Sequence, residues 1–188
     1  MKTKTLTLRT AAAVSLLALV CGCSSGGAAD KGKRTGPLKS YAPADRKQAP
    51  AWSGETVDGK KIDLAADYRG KVVVVNAWAS WCPPCRLEAP GLSRFNKEMK
   101  DKDVAVVGMN ADANVASARS FENDKKLSYP SLHDPAGRKL LQMPKGLANP
   151  TTYPYTLFFD RKGRIAASYI GAISETKVND IVKPLTKE

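Results

Sequence analysis

The sequence predicts an α/β fold from residue 51 onward, because apolar strand patterns alternate with helical patterns. Lys71 to Trp78 and Val104 to Met109 are short, almost unbroken apolar segments rich in Val, which is typical of strands covered on both faces. Between them, apolar residues recur near helical spacing from Leu87 to Met99. Strand, helix and strand in this order predict a βαβ unit with parallel strands.

The other elements follow from turn and cap residues. Asp58-Gly59 suits the positive φ values of a tight turn, so the segments on either side of it predict an N-terminal β-hairpin. Further along come a helix over Asn114 to Lys126, a strand hairpin over Tyr155–Phe159 and Arg164–Ile170, and a last helix after the candidate cap Ser174. The order βαβ then ββα is that of a thioredoxin fold. An inserted αβ element at about 111–133 completes the predicted three-layer α/β/α architecture.

Residues 1–22 have the composition of a secretory signal. Lys2, Lys4 and Arg9 supply positive charge, and Ala11 to Val20 is a short apolar stretch. This stretch is far below the roughly 20 residues that span a bilayer, so it favours an export signal over a permanent membrane helix.

The end of the signal, Val20-Cys21-Gly22-Cys23, resembles a bacterial lipobox. In that motif a small residue precedes the cysteine that is lipidated and becomes the mature N-terminus. Gly22 is such a residue, so Cys23 is the predicted lipidation site, whereas Cys21 follows the bulky Val20. An ordinary signal peptide with chance cysteines is the alternative.

Residues 23–50 are rich in Ser, Gly, Ala, Lys and Pro, and Leu38 and Tyr41 are their only large apolar residues. Such a segment buries too little surface to offset its ordering entropy, which predicts a flexible tether. The remaining residues, 51–188, have the size of one domain with a full core.

The chain is basic, with a formal net charge of +12 that becomes +9 once residues 1–22 are removed. Nucleic acid is an improbable partner for an exported protein. Anionic lipid headgroups or wall polymers are better candidates, and a solvated basic surface is the simplest explanation.

The chemistry of the chain is indicated by Trp81-Cys82-Pro83-Pro84-Cys85, where the first buried strand meets the following helix. A Cys-x-x-Cys pair at that junction indicates a dithiol/disulfide redox centre. A helix N-terminus favours the Cys82 thiolate, which makes Cys82 the attacking cysteine, and Cys85 lies one turn on and resolves the mixed disulfide. Pro83 and Pro84 stiffen the loop.

With these motifs the chain resembles the TlpA/ResA-like (DsbE-like) group of extracytoplasmic thioredoxins over residues 51–188. The segment Trp78 to Pro90 carries the most specific part of the resemblance. Members of the group carry an acidic residue at the position of Glu88, three residues beyond Cys85. The resemblance therefore implies that Glu88 moves protons for Cys85 or tunes its ionisation, and burial would raise the pKa of such a carboxyl. A solvent-facing helix glutamate is the alternative.

Thioredoxin-like proteins also place a cis-proline opposite the cysteine pair, where the neighbouring backbone binds substrate. Pro150 and Pro154 both precede sequences of the matching type, and the six-residue spacing to Asp160 favours Pro154. The resemblance then makes Tyr153 and Pro154 substrate-binding residues together with Trp81, Pro83 and Pro84. His133, the only histidine, is expected in a surface loop.

The sequence thus predicts a lipid-anchored thiol-disulfide oxidoreductase on the extracytoplasmic side of a bacterial cell membrane. Similarity to the family implies a monomeric reductase of exported cysteine-containing proteins, such as apocytochrome c, that is re-reduced by a membrane electron donor. A disulfide-forming oxidase and a copper-handling lipoprotein of similar fold remain alternatives. Copper chaperones of that kind use a wider Cys-x-x-x-Cys pair with a histidine ligand, and a peroxidase would carry Pro and Thr ahead of the attacking cysteine. Neither a bound cofactor nor a metal is expected.

Overall fold

The computed structural model describes residues 37–144, residue 147 and residues 152–188. The strands are β1 (Leu38–Ser40), β2 (Ser53–Glu55), β3 (Lys61–Asp63), β4 (Val72–Trp78), β5 (Val104–Asn110), β6 (Ser131–His133), β7 (Tyr155–Phe159) and β8 (Ile165–Ile170). The helices are α1 (Leu64–Asp67), α2 (Pro83–Met99), α3 (Val115–Lys125) and α4 (Glu175–Leu185). None of the helices in these described segments has the length and apolar character needed to cross a membrane.

The valine-rich segment forms β4, the strand around which the fold is built. It lies inside a six-stranded sheet of order β1-β8-β7-β4-β5-β6, and every one of its residues is buried. β5 runs parallel to it, with Val72 opposite Val104, and β7 runs antiparallel, with Ala77 opposite Tyr155. The predicted α/β class and the thioredoxin order of βαβ then ββα are therefore confirmed.

The two faces of the sheet are covered differently. Val72 and Val74 belong to a core that includes residues of α2 and α4, and Phe121 of α3 stacks on Trp78 on the same face, with ring centroids 4.5 Å apart. On the opposite face, no long helix packs among the described residues. That face is covered by buried side chains from the hairpin region, α1 and the loop before β7, namely Trp52, Leu64, Leu140, Met143 and Leu147. The third layer is thus thinner than a full helical layer.

The N-terminal β-hairpin is confirmed at the predicted turn. β2 and β3 pair antiparallel with Gly54 opposite Ile62, and Gly59 has a φ of 87°, a value that glycine adopts without a side-chain clash. The hairpin also contacts the main sheet, because Thr56 forms an isolated antiparallel bridge with Leu132 of β6.

For residues 37–50 the prediction of a flexible tether is wrong, because this segment packs on the domain. β1 pairs with β8, with Leu38 opposite Tyr169. The Arg46 side chain, which is almost fully buried, forms ion pairs with Asp160 at 3.1 Å and with Glu188. These partners lie more than a hundred residues away in sequence, so local composition gave no sign of them. The signal over residues 1–22, Cys23 and the tether over 23–36 lie outside the described residues.

Helix α2 begins at the cysteine motif, with Cys82 as its cap residue and Pro83 and Pro84 in its first turn. Proline suits this position because its missing N–H has no helical partner there. The expected inward positions Leu92, Phe95 and Met99 are buried, but Leu87 is 81% exposed and lies on the solvent face of the helix.

Candidate active site

Cys82 and Cys85 form a disulfide at the junction of β4 and α2. The side chains are buried, with 3% and 1% of their surface exposed respectively. The Cys85 N–H donates to the Cys82 Sγ at 3.2 Å, so the sulfur of the cap residue already accepts from the helix N-terminus. The same N–H donor and the helix dipole would stabilise a thiolate on Cys82 after reduction.

Glu88 lies on the buried side of α2, as predicted, and only 6% of its surface is exposed. Its two carboxyl oxygens accept from the Asn76 Nδ2 and from the Ile173 N–H, each at 2.8 Å. Both bonds favour the ionised form, but burial outweighs them and raises the pKa of Glu88 from 4.5 to about 7. A carboxyl that titrates near pH 7 can both accept and donate a proton near neutral pH.

Asn76 of β4 is a polar residue that holds Glu88 by a hydrogen bond. The sequence did not indicate a role for it. Its amide donates to Glu88 and also to the Thr156 Oγ1 at 3.1 Å, which joins α2 to β4 and β7. The signal was present in the sequence, since Asn76 is a polar residue within an otherwise apolar central strand. A buried polar side chain of that kind requires a partner.

The loop before β7 lies beside the cysteine loop. The Tyr153–Pro154 peptide bond is cis, which confirms the choice of Pro154 by spacing, whereas Pro150 lies outside the described residues. Tyr153 packs against the buried cluster that contains both cysteines, and its ring contacts Trp81 edge-on at 5.8 Å between centroids. Trp81 is 65% exposed, so the two aromatic rings frame the outer side of the disulfide.

Pro83 and Pro84 are exposed at the start of α2, and the exposed Leu87 follows them one turn later. Together with Trp81 they give the surface around Cys82 an apolar character. Leu87 is the exposed residue of this group that the sequence did not indicate. Its helical spacing alone suggested the core.

The sequence suggested that His133 lies in a surface loop, but this residue is the half-buried last residue of β6. Its Nε2 lies 2.9 Å from the Asp112 carbonyl oxygen, to which it donates. Within the described residues, no group of three or more histidine, cysteine, aspartate or glutamate side chains is arranged to hold a metal ion.

Two further polar residues were missed near the cysteines. The buried carboxylate of Asp112, just beyond β5, accepts from the N–H of Ser80 at 3.0 Å and from its hydroxyl at 2.9 Å. The available signal was positional: the carboxyl ends of neighbouring parallel strands meet at one edge of a sheet, where sites form.

Comparison with known proteins agrees with this geometry. Residues 44–185 match the Redoxin family. The chain belongs to the Redoxin family.

Several known proteins are similar to this chain over most of their length. The thiol-disulfide oxidoreductase ResA of Bacillus thuringiensis (strain Al Hakam) is 29% identical over 140 residues, which are 74% of this chain and 78% of the relative. The thiol:disulfide interchange protein DsbE of Pseudomonas fluorescens biotype C is 36% identical over 138 residues, 71% of each protein. The structure of a secreted thiol-disulfide isomerase from Corynebacterium glutamicum superposes with a TM-score of 0.71 at 30% identity, over 84% of this chain and 96% of that one.

The resemblance to the ResA- and DsbE-like proteins is therefore confirmed. This Redoxin-family chain is a thioredoxin-fold thiol-disulfide oxidoreductase, with Cys82 and Cys85 as its Cys-x-x-Cys pair.

Proposed function

We propose that this oxidoreductase is a lipid-anchored reductase that opens disulfides in exported proteins on the extracytoplasmic side of the membrane. Its clients would include the Cys-x-x-Cys-His segments of apocytochrome c, to which haem is attached. The observation that carries the proposal is the Cys82–Cys85 pair at the start of α2, with the buried Glu88 carboxyl one turn beyond Cys85.

The reaction would proceed in two exchanges. The Cys82 thiolate attacks one sulfur of the client disulfide, forms a mixed disulfide and releases the other client sulfur as a thiolate. The Cys85 thiol then loses its proton and attacks the Cys82 sulfur, which closes the Cys82–Cys85 disulfide and releases the second client thiolate. Two electrons pass from the protein to the client. Glu88, with a pKa of about 7, is suited to take the proton from Cys85.

Client binding would use the apolar residues around the disulfide. Trp81 and Tyr153 frame the outer side of the cysteine pair, and the backbone before Pro154 is where thioredoxin-like proteins bind an extended chain. The client cysteines would reach Cys82 beside these aromatic rings. This arrangement recognises backbone and apolar surface more than one particular side chain, which suits a protein with several clients.

The described chain enters the domain near the cis-proline, which bears on the proposed lipid anchor. The Pro37 carbonyl accepts from the Ile170 N–H at 2.9 Å, and the following Gly171 N–H donates to the Pro154 carbonyl at 2.9 Å. The chain therefore enters the domain at the edge that carries the cis-proline. A lipid on Cys23, fourteen residues before Pro37, would hold this edge within about 50 Å of the bilayer, the limit of a fully extended chain.

The client role is tested with a Cys85→Ser variant, which cannot resolve the mixed disulfide. We expect the reduced variant to form a stable adduct with an oxidised Cys-x-x-Cys-His peptide, and the wild type to reduce the same peptide and release it. A Cys82→Ser variant is the matched control and should do neither. Adduct formation through Cys85 in that control would reverse the assigned roles.

The anchor is tested separately by growth with a labelled fatty acid. Cys23→Ala should lose the label and leave the membrane fraction, whereas Cys21→Ala should keep both properties. Label that persists in the Cys23 variant would show that the predicted lipidation site is wrong.

A further inference from the structure

Asp112 is a buried carboxylate that the redox exchange itself does not use. It follows β5, and its side chain receives donors from the loop that joins β4 to the cysteine motif. The Ser80 N–H approaches the two carboxylate oxygens at 3.0 and 3.2 Å, and the Ser80 hydroxyl donates at 2.9 Å. Ser80 is two residues before Cys82. The contact therefore holds the loop directly ahead of the attacking cysteine.

Asp112 is itself fixed from two sides. The Asn110 Nδ2 donates to its carboxylate at 2.8 Å, and the Asn110 Oδ1 accepts from the Asp112 N–H at 3.2 Å. The His133 ring donates to the Asp112 carbonyl at 2.9 Å. All side-chain contacts of Asp112 in the described residues bring a donor to the carboxylate, so both of its oxygens act as acceptors.

The loop between this contact and the helix is short and turns tightly. The Cys82 N–H donates to the Ala79 carbonyl at 3.1 Å, and Trp81 is the exposed residue in between. Cys82 must keep its cap position for the helix N-terminus to act on its sulfur, and Ser80 lies only two residues ahead of it.

We propose that Asp112 is a positioning residue for the redox centre. Through Ser80 it holds the cysteine loop in place, and its negative charge beside this loop opposes the formation of the Cys82 thiolate. The charge thereby favours the disulfide over the dithiol, in the direction that makes the reduced protein a stronger reductant. The inference rests on Cys82/Cys85 redox chemistry and holds whether the protein works as the proposed reductase or in the other direction.

Other charged groups near the loop enter the interpretation of any pH dependence. These groups are Glu88 on α2, the ion pair of Arg86 with Asp124 between α2 and α3, and His133 on β6. They are unchanged in the variants below, so differences from the wild type report on Asp112 and Ser80.

The test measures the thiol-disulfide equilibrium of the full chain in detergent against glutathione. Free thiols are trapped by alkylation, and the Cys82/Cys85 peptide is quantified by mass spectrometry. Asp112→Asn keeps an oxygen acceptor for Ser80 but removes the charge. We expect its equilibrium constant to shift toward the dithiol by at least about threefold, the scale of one nearby charge. The pH midpoint of Cys82 alkylation should also fall.

Two variants separate charge from position. Ser80→Ala keeps the Asp112 charge and loses one hydrogen bond, so its equilibrium should shift less than that of Asp112→Asn. Asp160→Asn is the matched control for the loss of a buried carboxylate, because Asp160 accepts from Arg46 and Arg164 in the turn after β7, at the opposite end of the sheet from the cysteines. It should lower stability and leave the redox equilibrium unchanged.

The proposal is overturned if Asp112→Asn loses stability, as Asp160→Asn does, but keeps the wild-type equilibrium constant and alkylation midpoint. Asp112 would then be a purely structural residue. Failure of the wild-type pair to equilibrate with glutathione would instead remove the redox assignment itself, and an oxidising wild-type potential would remove only the proposed reductase direction.

Discussion

Replacement of Glu88 by glutamine gives the sharpest test of the buried carboxyl. The wild-type carboxyl has its pKa raised from 4.5 to about 7 by burial, so the folded state holds its proton more tightly than the unfolded chain does. Below pH 4.5 the group is protonated in both states and does not lower the free energy of unfolding. Between that value and about 7 the unfolded chain releases its proton first, and the folded state loses relative stability as the pH rises.

The size of the effect follows from the same two values. A shift from 4.5 to about 7 corresponds to roughly 3 kcal/mol of free energy of unfolding, fully developed above pH 7. Glu88→Gln has no proton to release, and its amide oxygen can still accept from the Ile173 N–H. We therefore expect the variant to be more stable than the wild type at pH 8, and the difference to shrink toward pH 5.

Urea unfolding of the oxidised proteins at pH 5, 6, 7 and 8 measures this difference. Glu98→Gln is the matched control, because Glu98 is an exposed glutamate on the same helix. The free energy of unfolding of Glu98→Gln should match that of the wild type at each pH. A stability difference between Glu88→Gln and the wild type that is the same at pH 5 and pH 8 would contradict the raised pKa of Glu88, because the carboxyl would then not change its charge in this range.

Three other results are expected. Cys82→Ser should abolish turnover of a model disulfide, as measured by thiol release, and residual turnover above that of free dithiothreitol would contradict its role as nucleophile. Arg46→Ala should lower the free energy of unfolding by roughly 1–3 kcal/mol, because it leaves the buried Asp160 carboxylate with fewer donors; urea unfolding measures the loss, and wild-type stability would mean that this ion pair contributes nothing. A chain that begins at residue 51 should unfold at lower urea concentration than one that begins at residue 37, since it lacks β1 and Arg46. Equal unfolding midpoints would mean that residues 37–50 do not stabilise the domain and act as a tether.

The sequence was sufficient for features that depend on local pattern. Apart from Asn76, the strand from Val72 to Trp78 is apolar because both of its faces are covered. Asp58-Gly59 marks a tight turn because glycine accepts the positive φ found there. The position of Pro154 followed from its distance to Asp160 along the chain. In each case the information lies within a few consecutive residues.

Features that depend on partners far away in the sequence could not be predicted from local pattern. Leu38 to Ser40 forms a strand only because β8 offers an open edge, and Arg46 is held by Asp160 and Glu188 from the other end of the chain. The Asp112–Ser80 contact likewise joins two loops that the parallel pairing of β4 and β5 brings together.

Leu87 was misplaced for a different physical reason. Apolar residues at helical spacing usually mark the buried face, yet Leu87 is exposed beside Pro83 and Pro84. Single exposed apolar residues are common on protein surfaces, and helical spacing alone does not separate them from core residues.

The reduction potential of the Cys82/Cys85 pair tests the proposed direction of electron flow most directly. The full chain is equilibrated with glutathione or dithiothreitol buffers, and the alkylated Cys82/Cys85 peptide is quantified. We expect a potential well below about −200 mV, in the range of proteins that reduce disulfides. A potential near about −120 mV, typical of a strong oxidant, would contradict it and mean that the protein donates disulfides to exported chains.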